Sequence, residues 1–156
     1  MRGGAAELVN PDAAAKNAAK LIDAFRQQGL LIVHVRHNYE PGGSIHQLVA
    51  PKSNEPVLSK DNVNAFKGTQ LDSLLRSNNI TELFLCGMQT HMCLEAATRA
   101  AADLGYKCQV VEDACATRDL SYNEEKIPAK YVHLSTLVTL RSYAKIITTE
   151  EVPDLL

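Results

Sequence analysis

An α/β fold with a parallel sheet covered by helices on both faces is predicted for this chain. Three observations carry that prediction. Apolar runs of strand length alternate with helical segments along the sequence. The strand runs at residues 30–35, 83–88 and 107–112 lack polar alternation, as expected of strands buried on both faces. The 156 residues suit one domain around a single core, and neither an internal repeat nor a linker divides them.

The elements follow in order. Asn10, Pro11 and Asp12 open a helix with a capping residue, a proline at the first helical position and an acid in the first turn. Ala14, Ala18, Leu21, Ile22 and Phe25 recur on one face, and Gly29 ends the helix. Residues 30–35 form an apolar strand interrupted only by His34. Residues 36–59 read as a long irregular stretch holding Pro41, Gly42, Gly43, Pro51 and Pro56, and long loops in compact domains are often functional. A short helix at 69–76 turns Leu71, Leu74 and Leu75 inward. A second strand at 83–88 runs into a helix at 91–104, with Leu94, Ala97, Ala101 and Leu104 on one side and Gly105 as its stop. A third strand spans 107–112, residues 123–143 are mostly helical, and 145–148 is a last short strand. Chemistry in such a fold belongs at the carboxyl ends of the strands.

Composition narrows the function classes. A net charge of −2 offers no electrostatic reason to bind nucleic acid or an anionic membrane. No run approaches the roughly 20 apolar residues that span a bilayer. The opening residues 1–12 lack the apolar core of a signal peptide, so a cytoplasmic protein is expected. Four cysteines are present, at positions 86, 93, 108 and 115, without a C-x-x-C pair. Free thiols in a reducing compartment fit better than disulfides or a zinc ribbon.

The most informative segment is 83–93, LFLCGMQTHMC: strand, tight turn, helix. Cys93 is expected in the first turn of that helix. Unpaired N–H groups and the helix dipole favour a thiolate there, and a thiolate is the working nucleophile. The same N–H groups suit an oxyanion. By position alone, a cysteine at a helix start is more often a packing residue. Cys86 and Cys108 lie within strands; Cys115 falls just past a strand end, where it could approach the site.

The run GMQTHMC at 87–93, followed by EAATRAAADLG at 95–105, resembles the nucleophile region of the isochorismatase-like cysteine hydrolases. Further matches agree in order and spacing: VHVRH at 33–37, Lys60 ahead of NAFKGT at 64–69, VVEDACAT at 110–117 and AKIITTEE at 144–151. The resemblance covers nearly the whole chain. It implies a three-layer αβα Rossmann-like sheet and an Asp–Lys–Cys triad. Cys93 matches the nucleophile, and Lys60 matches the lysine; without the resemblance Lys60 would read as a solvated loop residue. A cis peptide between Met88 and Gln89 is implied, with the backbone N–H groups of Gln89 and Cys93 as oxyanion donors. Phe66 and Asn64 match positions that line the family's pocket entrance, and His37 is a candidate substrate contact, as is His46.

The resemblance also marks a difference. The family's aspartate ends a first strand, in an Asp-x-Gln sequence, ahead of the segment matching GGAAELVNP at 3–11. The expectation is therefore a single domain over 1–156, N-terminally incomplete, whose sheet of family order 3-2-1-4-5-6 lacks its central first strand. Asp12 reads as a helix-start acid, not a substitute. Some relatives bind a metal through Asp-x-His; here Val35 stands two residues before His37, so neither metal nor cofactor is expected. His34 reads as a core histidine, His91 as a helix-start residue near the cysteine, and His133 as a surface or subunit-contact residue. The expected activity is hydrolysis of small carboxamides or related C–N bonds through an acyl-enzyme on Cys93. The alternatives are isochorismate-type vinyl ether hydrolysis, which needs no thiol, and an inactive binding or assembly protein. The partners expected are a small-molecule substrate and further copies of the chain, as a dimer or tetramer.

Overall fold

The computed structural model describes residues 7–39 and 43–156. Pro41, Gly42 and the part of the 3–11 match at 3–6 lie outside the described residues. Helix α1 (Pro11–Gln27) leads to strand β1 (His34–His37); β2 (Val57–Lys60), α2 (Leu71–Ser77) and β3 (Glu82–Met88) follow. A π-helical turn (Thr90–Leu94) runs into α3 (Glu95–Asp103), and then come β4 (Lys107–Ala116), a hairpin of β5 (Leu120–Tyr122) and β6 (Glu125–Ile127), α4 (Ala129–Leu140) and β7 (Lys145–Ile147). A 3-10 helix, Thr149–Leu155, closes the chain.

Strands β2 and β1 pair in parallel, and β3, β4 and β7 form a second parallel ladder in that order. Among the described residues no ladder joins β1 to β3. The parallel pairing agrees with the parallel sheet the sequence predicts. One strand departs from the sequence reading. β3 was expected to be buried, yet all seven of its residues are half-buried. Among the described residues it pairs with β4 alone.

The alternation along β3 still sorts the two faces. Phe84 and Cys86 pack toward α1, in a cluster with Ala18, Leu21, Val111 and Ile147. Phe25 meets Phe84 edge-to-face, with ring centroids 5.3 Å apart. Leu83 and Leu85 point the other way, toward Leu71, Leu75, Ala97 and Ala101 of α2 and α3. Leu137 and Leu140 of α4 complete that side over Val110 and Cys115. Helices thus cover both faces, in three layers. No described helix is long and apolar enough to cross a membrane.

Several boundaries moved for identifiable reasons. β1 begins only at His34, because its partner β2 starts at Val57 and the register runs from His34 opposite Val57 to His37 opposite Lys60. β2 itself lies inside the stretch read as irregular; four residues behind Pro56 leave little periodic signal. β4 continues to Ala116 through a register shift against β3, so Cys115 is a buried strand residue rather than one beyond the strand. The region at 123–143 begins with a hairpin turned by Asn123 at φ 53, and α4 starts after Pro128. Leu104 faces outward at 40% exposure, not into the core. Asn10 occupies the N-cap position of α1 in a left-handed conformation, without a side-chain cap.

A carboxylate clamp sets β1 and β2 in place. Glu55 accepts from Arg26 Nε at 2.8 Å and Arg26 Nη2 at 3.0 Å, meets His34 Nε2 at 2.9 Å, and accepts from the Lys52 N–H at 2.9 Å. His34 is therefore a satisfied core histidine. The Arg26 hydrogen bonds lead the effects that hold the Glu55 carboxyl at about 2, against an ordinary 4.5. A depressed carboxyl contributes stability that is complete above its unfolded value and lost as pH falls through the folded one. The thermal midpoint should therefore drop between about pH 4.5 and 2, as these groups titrate. Glu55→Gln should flatten that drop and cost about 2 kcal/mol at pH 7. Parallel melts of both proteins across pH check it; equal acid sensitivity would refute the clamp.

Candidate active site

The carboxyl ends of β1, β2 and β3 converge on one point. His37 ends β1 and Lys60 ends β2, and the two are register partners. Beyond β3, the Met88–Gln89 peptide is cis and the chain enters the π-helical turn, where the Leu94 N–H donates to Gln89 O at 3.3 Å. Cys93 thus sits in a π turn ahead of α3 rather than in an α-helical first turn. The wider i to i+5 bond accommodates one more residue per turn than an α-helix, a feature frequent at functional sites.

Three side chains meet through one nitrogen. His37 Nε2 lies 3.2 Å from Cys93 Sγ and 3.1 Å from Lys60 Nζ. Lys60 is only 5% exposed, so it is not the solvated loop lysine of a bare sequence reading. Its ammonium donates to Asn62 O at 2.9 Å and Val63 O at 2.6 Å. These carbonyls replace water as acceptors, the condition for burying such a group. Burial, and then the charge of Lys60, lower the His37 pKa from its ordinary 6.5, and Asp61 partly opposes them.

The other thiols are differently placed. Burial pushes Cys86 and Cys108 up to about 11 and Cys115 well above its ordinary value. Cys115 Sγ donates to Val111 O at 3.1 Å and does not reach the site. All four cysteines are free thiols.

The surrounding residues divide into those near Cys93 and those facing away. Gln89 is buried, and its Oε1 accepts from Arg118 Nε at 3.3 Å. His91 Nδ1 lies 2.6 Å from Thr117 Oγ1; burial and Arg118 lower its pKa. His133, expected at the surface or at a subunit contact, is half-buried with Nδ1 2.9 Å from Thr90 Oγ1, which braces the π turn from α4. Asn64 Oδ1 accepts from the Phe66 N–H at 2.9 Å, and Phe66 stacks on Tyr106 against the core. His46 turns toward α1, its Nε2 3.3 Å from Asp12 Oδ1. Sequence reasoning missed the Cys93–His37 contact, whose partners are 56 positions apart. Among the described residues, no three of His, Cys, Asp and Glu converge as a metal ion would need.

A family model described as the isochorismatase domain matches residues 2–151. An uncharacterized isochorismatase family protein of Bacillus subtilis, YddQ, is 41% identical over 159 residues, covering 94% of this chain and 88% of its own. A maleamate amidohydrolase of Pseudomonas putida is 28% identical over 139 residues, covering 74% of this chain; the match spans 65% of that enzyme. Among solved structures, one from Oleispira antarctica assigned to the isochorismatase hydrolases superposes with a TM-score of 0.89 at 42% identity, covering 94% of this chain and 84% of that one. With a family-wide match along the chain and a strand-end site holding a cysteine, this protein belongs to the isochorismatase family of hydrolases.

Proposed function

We propose that the protein hydrolyses small carboxamides or related C–N bonds, with Cys93 as nucleophile and a thioester acyl-enzyme as intermediate. The observation that carries this reading is the 3.2 Å contact between Cys93 Sγ and an imidazole nitrogen, at the point where strand ends converge. The thiolate is the working nucleophile, and this thiol stands among polar side chains at the strand ends. The amidohydrolase activity in the name of the P. putida relative supports the bond type.

In this mechanism the Cys93 thiolate attacks the carbonyl carbon. The backbone N–H groups of Gln89 and Cys93, where the chain turns from β3 into the helix, hold the oxyanion. Lys60 supplies a fixed positive charge to the site from behind His37. Phe66, Asn64 and His37 remain the proposed substrate-side residues, with Asn64 fixed by its own bond to the Phe66 N–H. The amine leaves, and water releases the acid.

The test is direct. The protein is incubated with a panel of small amides, product amine is measured, and acid-quenched samples are weighed by intact-mass spectrometry. The expected result is amine release with an acyl mass on the peptide containing Cys93. Full turnover after Cys93 has been alkylated would sink the reading and favour the thiol-independent vinyl ether chemistry.

A further inference from the structure

One side of α4 is packed and the other is bare. Ala129, Val132, Thr136, Leu137 and Leu140 are buried in the fold, and His133 reaches Thr90 of the π turn. Tyr131, Leu134 and Val138 point away from that core, 61%, 46% and 64% exposed. With the exposed Ser135 they recur at i, i+3, i+4 and i+7, a single stripe along a helix of 12 residues. A helix that is apolar on both sides is ordinarily buried on both. The hairpin that leads into α4 widens the patch. Tyr122 and Ile127 are diagonal neighbours on one face of its ladder, 74% and 38% exposed. An isolated two-stranded hairpin is marginal in water, so that face too gains from being covered.

We propose that this surface is the contact between two copies of the chain, with their α4 helices packed antiparallel about a twofold axis between Leu134 and Ser135. A twofold contact must match itself, and the stripe does. Tyr131 packs on the partner's Val138. Leu134 meets the partner's Leu134, and Ser135 the partner's Ser135, on either side of the axis. A charge at the axis would face its own copy; Leu134 and Ser135 are neutral, and the serine is small enough for close approach. Charged residues lie at the rim. Lys130 stands at the start of α4, and in this arrangement flanks the last turn of the opposite helix, whose unpaired carbonyls favour a cation. Arg141 caps the other end and comes beside the partner's hairpin, with its exposed Glu124 and Glu125. The area is also right. The five apolar side chains Tyr122, Ile127, Tyr131, Leu134 and Val138 leave on the order of 500 Å² exposed. A stable interface covers about 800 Å² per partner, of which roughly 60% is apolar.

Sedimentation of the full chain at micromolar concentration tests the inference. The wild type should run as a dimer or a multiple of one. Leu134→Glu places two carboxylates against each other at the axis and should raise the dissociation constant of the dimer by about 100-fold or more. Leu134→Lys should do the same, and a melt of each variant verifies its fold. An equal mixture of the two variants should recover the dimer, because opposite charges then meet across the axis. In the wild type, a lysine-specific cross-linker should join Lys130 to the Lys130 of an isotopically labelled second copy, a readout that no variant's folding affects. A monomeric wild type overturns the proposal, including one whose α4 is covered by another partner or by its own chain. An assembly unmoved by folded Leu134→Glu, a mixture that stays monomeric, or an oligomer without the Lys130 cross-link overturns it as well.

Discussion

Cys93→Ser is expected to lose amide turnover by roughly 10³-fold or more. The variant changes one atom, and the hydroxyl is far less acidic than a thiol. Packing should barely change, since Cys93 is only half-buried and its side-chain contact is the imidazole. The thermal midpoint should thus stay close to that of the wild type while activity disappears. Steady-state amine release, a melt and the intact-mass experiment on the same preparation check this. A Cys93→Ser protein within tenfold of wild-type turnover would remove the thiol from the mechanism.

Lys60→Met should combine a loss of activity with a loss of stability. Methionine keeps much of the length of the side chain but offers no donor. Asn62 O, Val63 O and His37 Nε2 then lose the group that satisfies them. In a site only 5% exposed, the stability cost should be about 1–3 kcal/mol. Removing the cation should also reduce turnover by roughly 10²-fold, the scale of one lost electrostatic contact. The pH dependence separates charge from packing. Lys60 lowers the His37 pKa, so without it the imidazole holds its proton to higher pH. The acid-side fall in activity should move to higher pH in Lys60→Met. Lys60→Arg keeps the charge but cannot reproduce the three-way geometry, so it should retain the wild-type pH dependence at reduced rate. An unshifted acid limb in Lys60→Met would mean that the lysine does not act on His37.

Much of this was legible from residue patterns. Helix α1 announces itself through Pro11 and its apolar spacing, and Gly29 stops it at φ 66. The run 83–93 displays a strand, a turn and a helix start around Cys93, because each depends on neighbours in the chain. Less visible were elements whose existence depends on partners. β2 is four residues long and forms because β1 lies beside it. The β5–β6 hairpin has two strands of three residues each, too short for alternation to stand out. The π turn is a hydrogen-bond choice, between acceptors one residue apart, that composition does not encode.

By itself, then, the amino-acid sequence determined the layer order, the parallel strands and the place of Cys93 beyond a strand end, since periodicity, caps and turn residues act over a few positions. Only the tertiary structure decided which partners that cysteine has. The register of β1 on β2 sets His37 beside Lys60, and the core that Val35, Leu58, Leu83 and Leu85 share brings the strand ends together so that an imidazole nitrogen reaches the thiol. The burial of Lys60 belongs to the same class of fact. Distances of about 3 Å between residues far apart in the chain arise from strand pairing and helix packing over the whole core, and no local pattern of side chains contains them.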